Sequence, residues 1–122
     1  MSLGQYQNTL QTGEVTIAIN ASLSGALDLW GCELVAIQMS GVWTAAGLTF
    51  QASHDGTTYG NVYDESANEV ALTVDALQYI TFDRDIKANL SGIRWIKVRS
   101  GTAAIPVNQL LAARVLTLVA AG

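Results

Sequence analysis

The stretch "LTFQASHDGTTYGNVYD", residues 48–64, decides the fold. Leu48, Phe50 and Ala52 alternate with Thr49, Gln51 and Ser53. A period of two puts the first set on one side of an extended chain and the second on the other, so 48–53 is predicted to be a strand with one buried face. His54-Asp55-Gly56-Thr57 then breaks the pattern with residues that suit turns, because Asp and Gly tolerate the positive φ angles of tight hairpins. "TTYGNVY" resumes the extended pattern, and the whole reads as a β-hairpin.

The same period recurs on both sides of this hairpin. Val15, Ile17 and Ile19 alternate with polar or small neighbours, while "ELVAIQM" (33–39) is apolar almost throughout, as a central strand covered on both faces would be. "NEVALTV" (68–74) and "LQYITF" (77–82) alternate again, and the short Asp75-Ala76 link predicts that they pair as antiparallel neighbours. "DRDIKANLSG" (83–92) reads as a polar connection. "IRWIKVRS" (93–100) is the next strand, with Ile96 and Val98 on one side and Trp95, Lys97 and Arg99 on the other. At the C-terminal end Val115, Thr117 and Val119 favour a strand over 112–119; Leu110 to Arg114 are good helix formers, so a helix over 105–114 is the alternative. About eight short strands, one proline and no internal repeat predict an all-β fold, an antiparallel β-sandwich of jelly-roll type. A single domain spans 1–122, with 1–12 a flexible or extended N-terminal segment.

Composition narrows the function. Half of the 122 residues are hydrophobic and 13% are charged, enough apolar surface for one core and against disorder. The net charge of −4 argues against nucleic acid as a partner, since neutralising phosphates needs clustered cations and the one basic cluster, Arg94, Lys97 and Arg99, is short. Cys32 is alone, so no intrachain disulfide forms, and its apolar neighbours suggest a small buried hydrophobe. No apolar run reaches the ~18 residues of a bilayer span, and "MSLGQYQNTLQTGEV" has neither the basic start nor the apolar stretch of a signal peptide. The expectation is synthesis in the cytoplasm and no membrane partner.

Reactive constellations are sparse. With His54 the sole histidine and HExxH, CxxC and GxSxG missing, the sequence predicts no enzyme, no metal centre and no cofactor. His54 and Asp55 could orient an imidazole for base catalysis, but neighbours on a turn seldom point together, and a solvated turn is the plainer reading. Asp64-Glu65, Glu69, Asp83 and Asp85 would serve glycoside hydrolysis only if two carboxyls faced each other across a gap of ~5 to 9 Å. A calcium ion held by Asp55, Asp64 and loop carbonyls lacks any EF-hand spacing. The aromatic residues remain. Trp30, Trp43, Trp95, Tyr59 and Tyr63 could form a stacking platform or an interface. Trp43, in the loop "SGVWTAAG", is the one most open to exposure, its alternative being a plug at one end of the sandwich. The candidate ligand-binding residues are therefore Trp43, His54, Asp55, Tyr59 and Tyr63.

Two resemblances add to this reading. Ser53, Asp55, Gly56 and Tyr59, with Arg94, Trp95, Ile96, Lys97 and Val98 further on, resemble two segments of discoidin-type (F5/8 type C) domains within the galactose-binding-like jelly rolls. That resemblance covers about a quarter of the chain, implies the jelly-roll fold, and implies carbohydrate as a ligand only through end loops that are short here. The whole chain, through "GVWTAAGLTFQAS", the 94–101 strand, "PVNQ" and "ARVLTL", resembles small structural proteins of phages and prophages. It implies a virion component, such as a head decoration, spike, fibre or tail accessory, located in the virion or in the host cytoplasm during assembly. Its partners would be other virion proteins or further copies of itself. A carbohydrate-binding module using Trp43, Tyr59 and Asp55 is the alternative.

Overall fold

The computed structural model describes residues 10–122. Two antiparallel sheets of four strands face each other. The first runs, edge to edge, β1 (Leu10–Ile17), β8 (Arg114–Ala121), β3 (Glu33–Gln38) and β6 (Tyr79–Thr81). The second runs β2 (Leu27–Asp28), β7 (Trp95–Ser100), β4 (Leu48–Ser53) and β5 (Gly60–Asn61). The all-β sandwich and its strand number are as the sequence predicts. Between the sheets Ile17, Leu34, Ile37, Phe50, Ile96 and Leu116 are fully buried. Each such side chain removed from water contributes about 1.5 to 3 kcal/mol, which is why the period-two positions fix the inward face so firmly.

The opposite face of the second sheet is polar and tied together. Register pairs Thr49 with Arg99, Gln51 with Lys97 and Ser53 with Trp95, all facing outward. Arg99 is nevertheless buried: its guanidinium donates to Asn61, to Thr49 Oγ1 at 3.3 Å and to Glu69 at 3.2 Å. The backbone N–H of Ala103 donates to the same carboxylate. A desolvated charge needs such partners, and here they fasten β5 and two loops onto the sheet.

Several expectations are corrected. β4 and β5 do form a hairpin, but Ala52 pairs with Gly60, so the loop is wider than a tight turn. Only Gly56 takes a positive φ, +77°, while Asp55 acts through its side chain. Residues 68–74 do not pair with 77–82. Val70 and Leu72 face the core, Leu72 bridges Leu48, and Glu69 bridges Tyr63 beside the second sheet. Leu77, at φ +66°, then turns the chain across to β6 in the first sheet. The stretch read as a polar connection contains the helix α1 (Arg84–Asn89), capped by Asp83, whose carboxylate accepts from the Ile86 N–H at 2.8 Å. At the C-terminal end the strand alternative holds from Arg114 on, and 107–113 is irregular rather than helical. The short strand β2 has no counterpart in the sequence reading. Of the predicted N-terminal segment, Leu10 to Thr12 pair in β1; the rest lies outside the described residues.

Candidate functional site

Strand directions gather the loops at two ends. The turn 29–32, the loop 53–59 and the segment 83–94 lie at one end. The loops 18–22, 40–47, 75–78 and 101–113 lie at the other. β4 separates them by six residues, about 17 to 20 Å.

At the first end charge and aromatic rings interleave. Asp28 holds Arg94 through two bonds, one of them Nη2 to Oδ2 at 2.9 Å, and Asp28 also accepts the Trp30 N–H. The Arg94 hydrogen bond, aided by the Trp30 N–H, keeps the Asp28 carboxyl below its ordinary range. The guanidinium lies 4.3 Å from the centroid of Trp30 and 5.6 Å from that of Trp95. Trp30 is 75% exposed and sits at φ +53°, a left-handed conformation that costs a bulky residue about 1 to 2 kcal/mol. Gly56 rests on the other tryptophan, since a Cβ there would lie 2.9 Å from the Trp95 ring. Asp55 fixes the loop by accepting from the N–H groups of Thr58 and Thr57 and from Ser53, which brings its pKa to about 2. Lys97 Nζ stands 4.2 Å over Tyr59. Beside this cluster an open groove of about 410 Å³ runs between 52–60 and 92–94.

The second end is built on the opposite principle. Of its four loops, 18–22, 40–47 and 101–113 contain no Asp, Glu, Lys, Arg or His, and 75–78 contains one charged residue, Asp75. Their shared anchor is Gln109, which is fully buried. Its Oε1 accepts from the Thr44 N–H at 2.7 Å and from Arg114 Nε at 3.1 Å. Its Nε2 donates to Thr44 O at 3.0 Å and to Ser100 Oγ at 2.7 Å. Its backbone bonds to Asn20 and Ala21. With every polar atom satisfied, the core of this end is a closed network. Outside it, Ile19, Val42, Ile105 and Leu110 are exposed, together with Leu77 (73%) and Leu111 (89%). Leu77 and Leu111 both lie at positive φ, +66° and +77°.

The predicted site residues divide between these regions. His54 is exposed and lines the groove with Tyr59, and Asp55 locks the loop between them. Trp43 is corrected to a plug. It lies at the other end of β4 with 9% of its surface exposed, and its Nε1 donates to Ala46 O at 3.0 Å, so the loop closes around its own indole. Tyr63 is exposed but bridges Glu69 and does not line the groove. Asp64, Glu65 and Asp85 meet at a separate depression of about 220 Å³, and Asp64 Oδ1 is occupied by the N–H groups of Ser66 and Asn68. Among the described residues no three His, Cys, Asp or Glu side chains are placed so that they could hold a metal ion, and no helix is long and apolar enough to cross a membrane. Of the basic cluster, Arg94 and Arg99 are held by Asp28 and Glu69. Trp30, weighed in the sequence as one of five aromatics for a stacking platform, and Arg94 are not among the predicted site residues. Their signal is Asp28-Leu29-Trp30-Gly31, an Asp two residues ahead of a Trp-Gly turn.

These features define an antiparallel β-sandwich with one charged, aromatic end and one uncharged, aliphatic end. Over 96% of this chain and 98% of the other, it is similar to the crystal structure of SPBc2 prophage-derived protein YomS, with a TM-score of 0.55 and 11% sequence identity. At that identity the likeness is one of fold. No protein-family model matches the sequence. The comparison with curated proteins likewise finds no match.

Proposed function

We propose that this chain is a non-enzymatic structural or assembly protein of a phage particle that works through protein–protein contacts. The observation that carries the proposal is the uncharged end, where rigidly anchored loops hold large aliphatic side chains in water. Burying such a patch against a neighbour is what assembly supplies. The phage context is favoured by the sandwich shared with a prophage-derived protein and by the resemblance of "GVWTAAGLTFQAS" and "ARVLTL" to phage structural proteins. A discoidin-like jelly roll is the finer fold type we propose, on the Ser53–Tyr59 and Arg94–Val98 segments. Decoration, spike, fibre and tail accessory roles all use this chemistry, in the virion or in the host cytoplasm during assembly. The test is mass spectrometry of gradient-purified particles from an induced lysogen carrying the gene: the chain is expected at stoichiometric levels, and its absence would sink the proposal.

A carbohydrate-binding module is the second reading, favoured by the groove beside Tyr59 and the free face of Trp30. With Trp43 buried, the stacking residue in this reading is Trp30. Calorimetric titration with a glycan panel, repeated on Trp30→Ala, tests it.

A further inference from the structure

We infer that two copies of this chain join through their uncharged ends, the patch of loops 18–22, 40–47 and 101–113 with Leu77 meeting the same patch on a second copy. The inference rests on the assembly reading above and names the partner of that surface.

Size comes first. The three loops comprise 26 residues, of which all but Trp43, Gly101 and Gln109 are at least partly exposed. A stable interface of standard size uses about 20 to 30 residues a side.

Charge then selects the occupant. The protein carries −4 overall, so two copies repel wherever their charged surfaces meet. Loops 18–22, 40–47 and 101–113 carry no charge to repel, and Asp75, two residues before Leu77, is the one acidic group beside them. A two-fold contact sets a patch against itself, and an uncharged patch meets that demand without bringing like charges together. Recognition of a different protein draws on complementary charge for its specificity, and this end offers little: Asp75 at its rim, and Arg114, whose guanidinium is turned inward onto Gln109 and Leu110. The charged residues of 28–33, 53–55 and 83–94 stay at the far end of each copy in such a pair.

Backbone strain points the same way. Leu77 and Leu111 are among the most exposed apolar residues, and both occupy the left-handed region, where a Cβ is disfavoured by about 1 to 2 kcal/mol. A lone chain gains nothing from holding a leucine in water by a strained backbone. In a pair, the same geometry presents two projecting anchors. Because Gln109 already fixes the loops, little ordering is left to do when the copies meet.

The test is sedimentation equilibrium of the full chain at about 100 μM. Wild type is expected near twice the 12.9 kDa of one chain. Leu111→Glu and Leu111→Lys, at a fully solvated site, should each weaken association about tenfold or more with unchanged circular dichroism. Leu10→Glu, exposed at the opposite end, should leave the wild-type mass unchanged. A single-chain mass for wild type, or variants at Leu111 that pair as well as wild type, would each overturn the inference. A single-chain wild type found in purified particles would sink the pairing alone and keep the assembly role; a stable pair absent from particles would do the reverse.

Discussion

The two ends of this sandwich solve the same problem with different chemistry. Both must close off the core where the strands stop and the backbone loses its ladder. The charged end does it with local devices: Asp28 and Asp55 satisfy nearby N–H groups, Arg94 covers one face of Trp30, and Gly56 lets a loop lie on Trp95. Each device joins few residues and is open to water, so each acts largely alone. The uncharged end gathers four segments on one buried amide, Gln109, and leaves its outer surface aliphatic. A surface made of separate exposed pairs can lose one and keep the rest. A surface hung on one buried hub cannot.

That contrast fixes the largest expected effect. Gln109→Leu keeps the volume but strands the Thr44 N–H and carbonyl, and removes an acceptor from Arg114, a buried cation with no carboxylate on it among the described residues. Removing one partner of a buried charge costs about 3 to 5 kcal/mol, so urea unfolding should show a loss of that order. A loss below about 1 kcal/mol would mean that the hub is not a hub.

At the charged end the effects should be smaller and separable. Gly56→Ala forces a side chain into φ +77° and sets its Cβ against Trp95, and should cost about 1 to 3 kcal/mol by the same measurement. Smaller still is Arg94→Met, which removes a half-buried ion pair, leaves Asp28 the Trp30 N–H as a partner, and uncovers Trp30. Its expected signature is a change in tryptophan fluorescence with a melting temperature close to that of wild type. If Gly56→Ala and Arg94→Met together cost clearly more than the sum of the two, the devices at this end are coupled and the contrast with Gln109 weakens.

How far the sequence reveals this architecture depends on whether the relevant signal is local. β3, β4 and β7 are legible to within two residues because alternation states directly which side chains face inward. Alternation does not name a strand's neighbour, so 68–74 shows its buried Val70 and Leu72 while its pairing with the second sheet stays hidden. α1 is too short for a helical period: six residues with only Ile86 half-buried leave Asp83 as the one cue. Trp30 and Trp43 look alike as loop aromatics, yet one is held out by a left-handed turn and the other finds a carbonyl within its own loop. The missing charges of 18–22, 40–47 and 101–113 are plain in the sequence, but only strand register shows that these distant segments form one surface.

Acid offers the mildest way to separate the two ends. Asp55 has its pKa lowered to about 2 by the N–H groups of Thr58 and Thr57 and by Ser53, and Asp28 is lowered by Arg94. A carboxyl with a depressed folded-state value binds its proton more readily in the unfolded chain. Its stabilisation is therefore complete above the ordinary value of 3.8 and is lost as pH falls from there through about 2. The three uncharged loops hold no group that titrates in this range. Amide exchange followed from pH 5 down to pH 2 should show the N–H groups of Thr57, Thr58 and Trp30 losing protection first, since these are the ones the two carboxylates hold. Asp55→Asn, which cannot titrate, should flatten the pH dependence at Thr57 and Thr58 and leave that of Trp30 in place. Earlier loss at Thr44 or Gln109 would show that acid acts through the hub, and that the charged end is not the acid-sensitive one.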